Sequence, residues 1–194
     1  MEVKVQNRKV ILDDYFNVDV ATLQYEKFDG KFSETVRRYN LNRPEAVAVL
    51  VYLTDVKRLL LIKQFRYADF VRRTKGWLLE IVAGVMDGNE APLECAKRET
   101  IEETGYEIHN FEHIASVYST PGITTEFVHI YLGTGTSADL KHEGGGLDDE
   151  HEDIQLIELT PKDTKRMLAD KQIRDAKTIL ALQYFLSRDS SPAE

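Results

Sequence analysis

A single cysteine, Cys95, leaves the chain no intrachain disulfide, so nothing here is built for an oxidising compartment. Long apolar runs are missing too. The longest, Ala46 to Leu53, is far short of the roughly 20 residues needed to cross a bilayer. The opening MEVKVQNRKVILDDY holds no apolar stretch of signal-peptide length, so a cytoplasmic protein without a membrane partner is expected. Positive charge is in short supply: 25 Lys and Arg stand against 33 Asp and Glu, a net charge of -8. That balance excludes gripping nucleic acid through a basic face as the main work, and any phosphate-bearing ligand must bring its counter-charge through a metal. No Cys or His spacing suits zinc, and there is no internal repeat or low-complexity block.

What is present is ordinary globular material. At 194 residues, 42% hydrophobic and 30% charged, the chain has room for one domain with a small addition. The first 40 residues read as two short alternating segments, Tyr15 to Leu23 and Lys31 to Tyr39, about a Phe28-Asp29-Gly30 turn, which predicts an antiparallel hairpin. Stronger strand signals follow in AVAVLVYL, RLLLIKQFR and WLLEIVA, then in EHIASVYS, EFVHIYLG and DIQLIEL. Between Gly84 and Gly105 the pattern becomes loop, helix, loop, with Pro92 fit for a first helical turn and Gly105 for a stop. A long segment rich in glycine and acid, Gly133 to Asp153, is of a length more often functional than idle. Thr160-Pro161 opens the C-terminal helical stretches MLADKQI and AKTILALQYFL. The division expected is a hairpin over 1–43, a main domain over 44–188 and a disordered tail over 189–194.

The central helix carries the chemistry. At 100° per residue Glu99, Glu102 and Glu103 fall within an arc of about 100°, while Leu93, Thr100 and Thr104 gather elsewhere. Like charges at this spacing repel by about 0.3 kcal/mol per pair, so the cluster costs helix stability unless something cationic sits against it. Three glutamates alone read first as a solvated acidic face. The wider pattern decides: Gly84, five residues, Glu90, seven residues, Arg98-Glu99, two residues, Glu102-Glu103, one residue, Gly105. GVMDGNEAPLECAKRETIEETGY therefore resembles the Nudix box, with Thr100 where the family usually has an aliphatic residue and Tyr106 bulkier than most. The substitution at Thr100 is expected to weaken packing of helix on sheet slightly.

The resemblance extends from about Tyr15 to Phe185 and is nearest to the ADP-ribose and nucleoside diphosphate sugar pyrophosphatases, with Pro121 in STPGITTE as a further mark. It implies an α/β/α sandwich around a mixed β-sheet, preceded by the hairpin. It also implies Mg²⁺-dependent hydrolysis, with Mn²⁺ as the alternative ion. ADP-ribose is the first substrate guess and GDP-mannose the second. By position, Glu99, Glu103 and the carbonyl of Ala83 match metal ligands and Glu102 an auxiliary one, while Arg98 and Glu90 match residues that orient the acids. For Arg98 and Glu102, ordinary surface pairing at four-residue spacing is the competing reading.

The general base in the resembling enzymes lies on a later loop, here GGGLDDEHEDIQL. The match puts the base at Glu150 and a further metal-contacting carboxylate at Glu152, with Asp148, Asp149 and Asp153 as competitors. Arg66 matches a diphosphate contact, with a strand-end surface arginine as the alternative. Arg38 matches a residue supplied across a dimer, and Phe16 is a candidate for stacking on a nucleobase, with core packing as its alternative. Pro121 joins them in the expected substrate site. Such a site implies a homodimer with exchanged N-terminal hairpins. A non-catalytic Nudix sensing module is the reading of another class, and the intact acids of the box count against it.

Overall fold

The computed structural model describes residues 1–146 and 153–188. The tail 189–194, expected to be disordered, lies outside the described residues. So do Asp148, Asp149, Glu150 and Glu152.

The chain forms two compact units, Met1–Glu45 with Tyr118–Phe127, and Ala46–Val117 with Val128–Glu194. In the first, β1 (Val3–Asp13), β2 (Asn17–Tyr25) and β3 (Val36–Asn42) make an antiparallel sheet in the order β1-β2-β3. The hairpin expected from the sequence is β2 and β3, and β1 adds a third strand. That strand is exposed along its length, so it carries no buried alternation that could have marked it. Register is pinned by a polar cluster. Asp19 of β2, 3% exposed, accepts from Arg8 Nη2 at 2.6 Å and from Asn42 Nδ2 at 2.7 Å, which holds its carboxyl down to about 2.

The second unit is a mixed sheet of β10 (Gln155–Leu159), β5 (Arg58–Phe65), β4 (Ala46–Leu53), β9 (Phe127–Gly135) and β8 (Asn110–Tyr118), in that order. β4 runs parallel to β9 and antiparallel to β5, and β10 is antiparallel to β5. Because side chains alternate, Val47, Val49, Val51 and Leu53 of β4 enter one core and Ala48 and Leu50 another. The first core packs α2 (Pro92–Thr104) through Cys95 and Ala96; the second packs α4 (Ala176–Arg188) through Ala181 and Leu182. Burial on both faces is why AVAVLVYL and RLLLI read as unbroken apolar runs. The result is the expected α/β/α sandwich, completed by α3 (Pro161–Ala169), whose first turn is capped by Thr160 accepting from the Asp163 amide.

Two features depart from the sequence reading. WLLEIVA is one strand in sequence but two in space: β6 (Trp77–Glu80) pairs with β5, β7 (Val82–Val85) pairs with β4, and Ile81 falls between them. A short helix, α1 (Tyr67–Arg73), also follows β5. It is closed by Thr74 at φ 61°, whose amide donates to the Phe70 carbonyl, and Asp69 takes the Arg73 guanidinium and the Gly76 amide; seven residues are too few for helical periodicity to reveal it.

Candidate active site

α2 is the element on which the site is built. Pro92 occupies its first turn and Gly105 closes it at φ 78°, a left-handed conformation that glycine adopts at little cost, with its amide donating to the Ile101 carbonyl. Leu93 is 39% exposed, while Cys95, Ala96, Thr100, Glu103 and Thr104 are buried. The buried Thr100 hydroxyl is satisfied: it donates to the Ala96 carbonyl at 2.6 Å, and Thr104 does the same to the Thr100 carbonyl. Cys95 is a packing residue, its thiol pushed up to about 12 by burial and then by Glu90, which leaves it without thiolate reactivity.

Two of the three glutamates face the backbone of β7. Glu103, only 1% exposed, accepts from the Ala83 amide through Oε2 at 3.3 Å. Glu99 fills the space left by the missing side chain of Gly84; a Cβ there would stand 1.8 Å from its carboxylate carbon. Glycine at position 84 is therefore a close-approach requirement. The two acids converge on neighbouring residues of one strand.

Arg98 is the hub. It forks onto Glu90 through Nε at 3.1 Å and Nη2 at 3.0 Å, and its Nη1 donates to Glu99 at 2.8 Å and to Glu102 at 3.0 Å. Nη2 also reaches the Val85 carbonyl at 3.2 Å, tying the helix to β7. The bond to Glu90 comes first among the causes that hold the guanidinium charged, and it holds Glu90 below the usual carboxylate range in return. The cation demanded by the crowded glutamates is thus supplied in part from within the helix. Arg98 bonds to Glu90, Glu99 and Glu102 at once, so the pairing with Glu102 at four-residue spacing is present as one part of a larger network.

Among the described residues no group of three or more His, Cys, Asp or Glu side chains forms a metal cluster. Glu99 and Glu103 both lie against β7, at Gly84 and at the Ala83 amide, and the atoms they could offer a cation are carboxylate oxygens, hard in character. That chemistry fits a hard divalent cation and not zinc.

Arg66 lies at the end of β5 and donates through Nε at 3.1 Å and Nη2 at 2.9 Å to Glu80, which is 3% exposed. Burial works against its charge, but the bond to Glu80 and the fields of Glu80, Glu103 and Asp175 outweigh it, so the guanidinium is held charged. Glu80 escaped the sequence reading because it sits in an apolar strand with nothing to mark its partner 14 residues away.

A second group escaped as well. Gly144, Gly145 and Gly146 all have positive φ (68°, 112° and 83°) and lie over the C-terminal end of α2. The Gly145 amide donates to the Glu103 carbonyl at 2.9 Å and that of Gly146 to the Glu102 carbonyl at 3.2 Å. The chain therefore enters the acidic segment directly from the backbone of two box glutamates. A run of three glycines was the available signal.

The remaining expected site residues belong to the first unit. Phe16 sits in the turn between β1 and β2, edge-on to Tyr15 and under the Arg43 guanidinium at 4.9 Å. Arg38 is an exposed residue of β3 whose Nη1 donates to the Arg37 carbonyl, and Pro121 is exposed in the turn after Tyr118. Glu150 and Glu152 lie outside the described residues.

Comparison with known proteins places the chain in a family. The NUDIX domain pattern matches residues 43–182. A GDP-mannose pyrophosphatase of Cronobacter sakazakii (strain ATCC BAA-894) is 35% identical over 191 residues, covering 97% of each chain. One of Escherichia coli (strain K12) is 34% identical over 177 residues, covering 91% of each. A solved structure titled as an ADP compounds hydrolase superposes with a TM-score of 0.73 at 22% identity, covering 97% of this chain and 94% of the other, and so shares the fold. With the box acids ordered around Arg98 and a match over most of its length, the chain belongs to the NUDIX family and is a hydrolase.

Proposed function

We propose that the chain hydrolyses the diphosphate linkage of a nucleoside diphosphate sugar, giving a nucleoside monophosphate and a sugar phosphate. The observation that carries the reading is the pair of carboxylates, Glu99 and Glu103, set against consecutive residues of β7 while Arg98 holds Glu90, Glu99 and Glu102 in order. GDP-mannose is the first substrate to test, supported by the names of relatives that match along nearly the whole chain. ADP-ribose, favoured by the spacing of Glu150 and Glu152, is the second.

In this reading Glu99, Glu103 and the Ala83 carbonyl would hold Mg²⁺, with Mn²⁺ as the alternative. When bound, such an ion neutralises phosphate oxygens and lowers the pKa of coordinated water. The chain's own residues supply the rest. Glu150 takes a proton from the attacking water as its oxygen bonds to phosphorus and the bridging P–O bond breaks, and Glu152 would be a further carboxylate for the cation. Glu80 occupies Nε and Nη2 of Arg66, and Nη1 is directed to a diphosphate oxygen. Phe16 stacks on the nucleobase, with Arg38 and Pro121 completing the substrate site. The exposed Val3, Val5, Val10, Ile11 and Leu12 of β1 support a homodimer that exchanges N-terminal hairpins. The enzyme works in the cytoplasm.

The test is a hydrolysis panel of GDP-mannose, ADP-ribose, ADP-glucose and a nucleoside triphosphate, with Mg²⁺ and with Mn²⁺, and with products identified. Release of a nucleoside monophosphate and a sugar phosphate is expected. Turnover of the triphosphate alone would overturn the reading, and light scattering that finds only monomer would remove the dimer.

A further inference from the structure

The strand that presents Ala83 and Gly84 to the α2 carboxylates is interrupted just before them. Glu80 is the last residue of β6 paired with β5, opposite Ile62, and Val82 is paired with β4, opposite Val49. Ile81 belongs to neither ladder. It is fully buried, so its amide must find a partner elsewhere or bear the cost of desolvation. The partner is the Thr178 hydroxyl, 2.8 Å away, buried in the first turn of α4 and 97 residues distant in sequence.

The direction of that hydroxyl is decided by its other neighbour. Thr178 Oγ1 has one proton, and it donates to Asp175 Oδ2 at 2.7 Å, which turns a lone pair toward Ile81. Asp175 is held in turn by the Thr178 amide at 2.8 Å and by Lys177 Nζ at 2.7 Å. The Ile81 amide is thus fixed from the opposite layer of the sandwich. On one side of it Glu80 clamps Arg66; on the other, Ala83 and Gly84 meet Glu103 and Glu99.

We infer that Thr178, oriented by Asp175, is a positioning residue for hydrolysis: it holds the segment from Glu80 to Gly84 where Ala83 and Gly84 face the two carboxylates of α2. The inference rests on the reading of those carboxylates as the cation-holding, hydrolytic site.

Thr178→Val keeps the side-chain shape and removes the acceptor, while Thr178→Ser keeps the hydroxyl. Each is compared with wild type in kcat and KM on the preferred sugar nucleotide, in Mn²⁺ binding followed by electron paramagnetic resonance, and in hydrogen exchange at Ile81. For Thr178→Val, kcat is expected to fall about tenfold or more with KM changed less than about twofold. Mn²⁺ affinity should drop about fivefold, and the Ile81 amide should exchange faster. Thr178→Ser should stay within about twofold of wild type throughout. A folded Thr178→Val protein with wild-type kcat and Mn²⁺ affinity overturns the inference. So does a Thr178→Ser protein as impaired as Thr178→Val, since the effect would then belong to the methyl group. Should Thr178→Val fail to fold, Asp175→Ala decides. It leaves the hydroxyl present but free to turn, so the same pattern about threefold in size is expected, and wild-type values overturn the proposal. A wild-type enzyme that binds Mn²⁺ yet cleaves no sugar nucleotide defeats the substrate assignment, and Mn²⁺ affinity with Ile81 exchange then decides the role of Thr178.

Discussion

The carboxylate of Glu99 occupies the volume that any side chain at Gly84 would need, so helix α2 and strand β7 meet through an acid lying on bare backbone. A methyl group at position 84 must push that carboxylate away. Gly84→Ala should lower kcat/KM about a hundredfold, because misplacing one reactive group by an ångström is enough for such a loss. Circular dichroism should show the fold retained. Unchanged kinetics would mean that Glu99 is not held for the reaction.

Glu103 separates charge from packing. In Glu103→Gln the amide oxygen can still accept from the Ala83 amide while the negative charge is gone. Turnover should fall by most of its value with the melting temperature changed by only a few degrees. A near wild-type rate at saturating Mg²⁺ would count against Glu103 as a cation ligand.

Arg98→Lys keeps a positive charge but not the fork that spans Glu90, Glu99 and Glu102. A loss of about tenfold in kcat and about 1–2 kcal/mol in stability is expected, measured by steady-state kinetics and urea unfolding. Retention of both would show that the network is ornamental to the site.

The glycine at 145 has φ 112° and its amide caps the Glu103 carbonyl. Gly145→Ala forces a side chain into backbone geometry that costs about 1–3 kcal/mol. If the cap positions the acidic segment that follows, kcat should fall with little change in Mn²⁺ binding. A parallel loss of both would place the damage on α2 itself.

Asp19 predicts the acid behaviour of the first unit. Its carboxyl is depressed from an ordinary 3.8 to about 2, led by the bond from Arg8 and then that from Asn42. Because the folded value is the lower one, its stabilisation is present above about pH 4 and lost as the pH falls toward about 2. Acid titration of Asp19→Asn should lack that loss in signals from the three-stranded sheet. An unchanged acid limb would assign it to other carboxyls.

Local pattern carried much of this far. The stop at Gly105, the start at Pro92 and the strand over AVAVLVYL were all readable, since each depends on neighbouring residues or on a short run. That Leu93 is half-exposed while Thr100 and Thr104 are buried was not readable, because angular position places residues around an axis but does not say which of them meet the sheet near a helix end. β1 went unread because both its faces are exposed, and Ile81 because an apolar strand does not announce a change of partner.

The sequence by itself determined that glutamates recur at box spacing on one helix, that glycine stands at 84 and 105, and that an acidic segment follows three glycines. Spacing along the chain suffices for these. Only the tertiary structure decided that Glu103 lies inside, that Arg98 gathers three acids, that Glu80 holds Arg66 and that Thr178 holds Ile81. Those outcomes depend on which buried donor meets which buried acceptor when the layers close, and no distance along the chain encodes that.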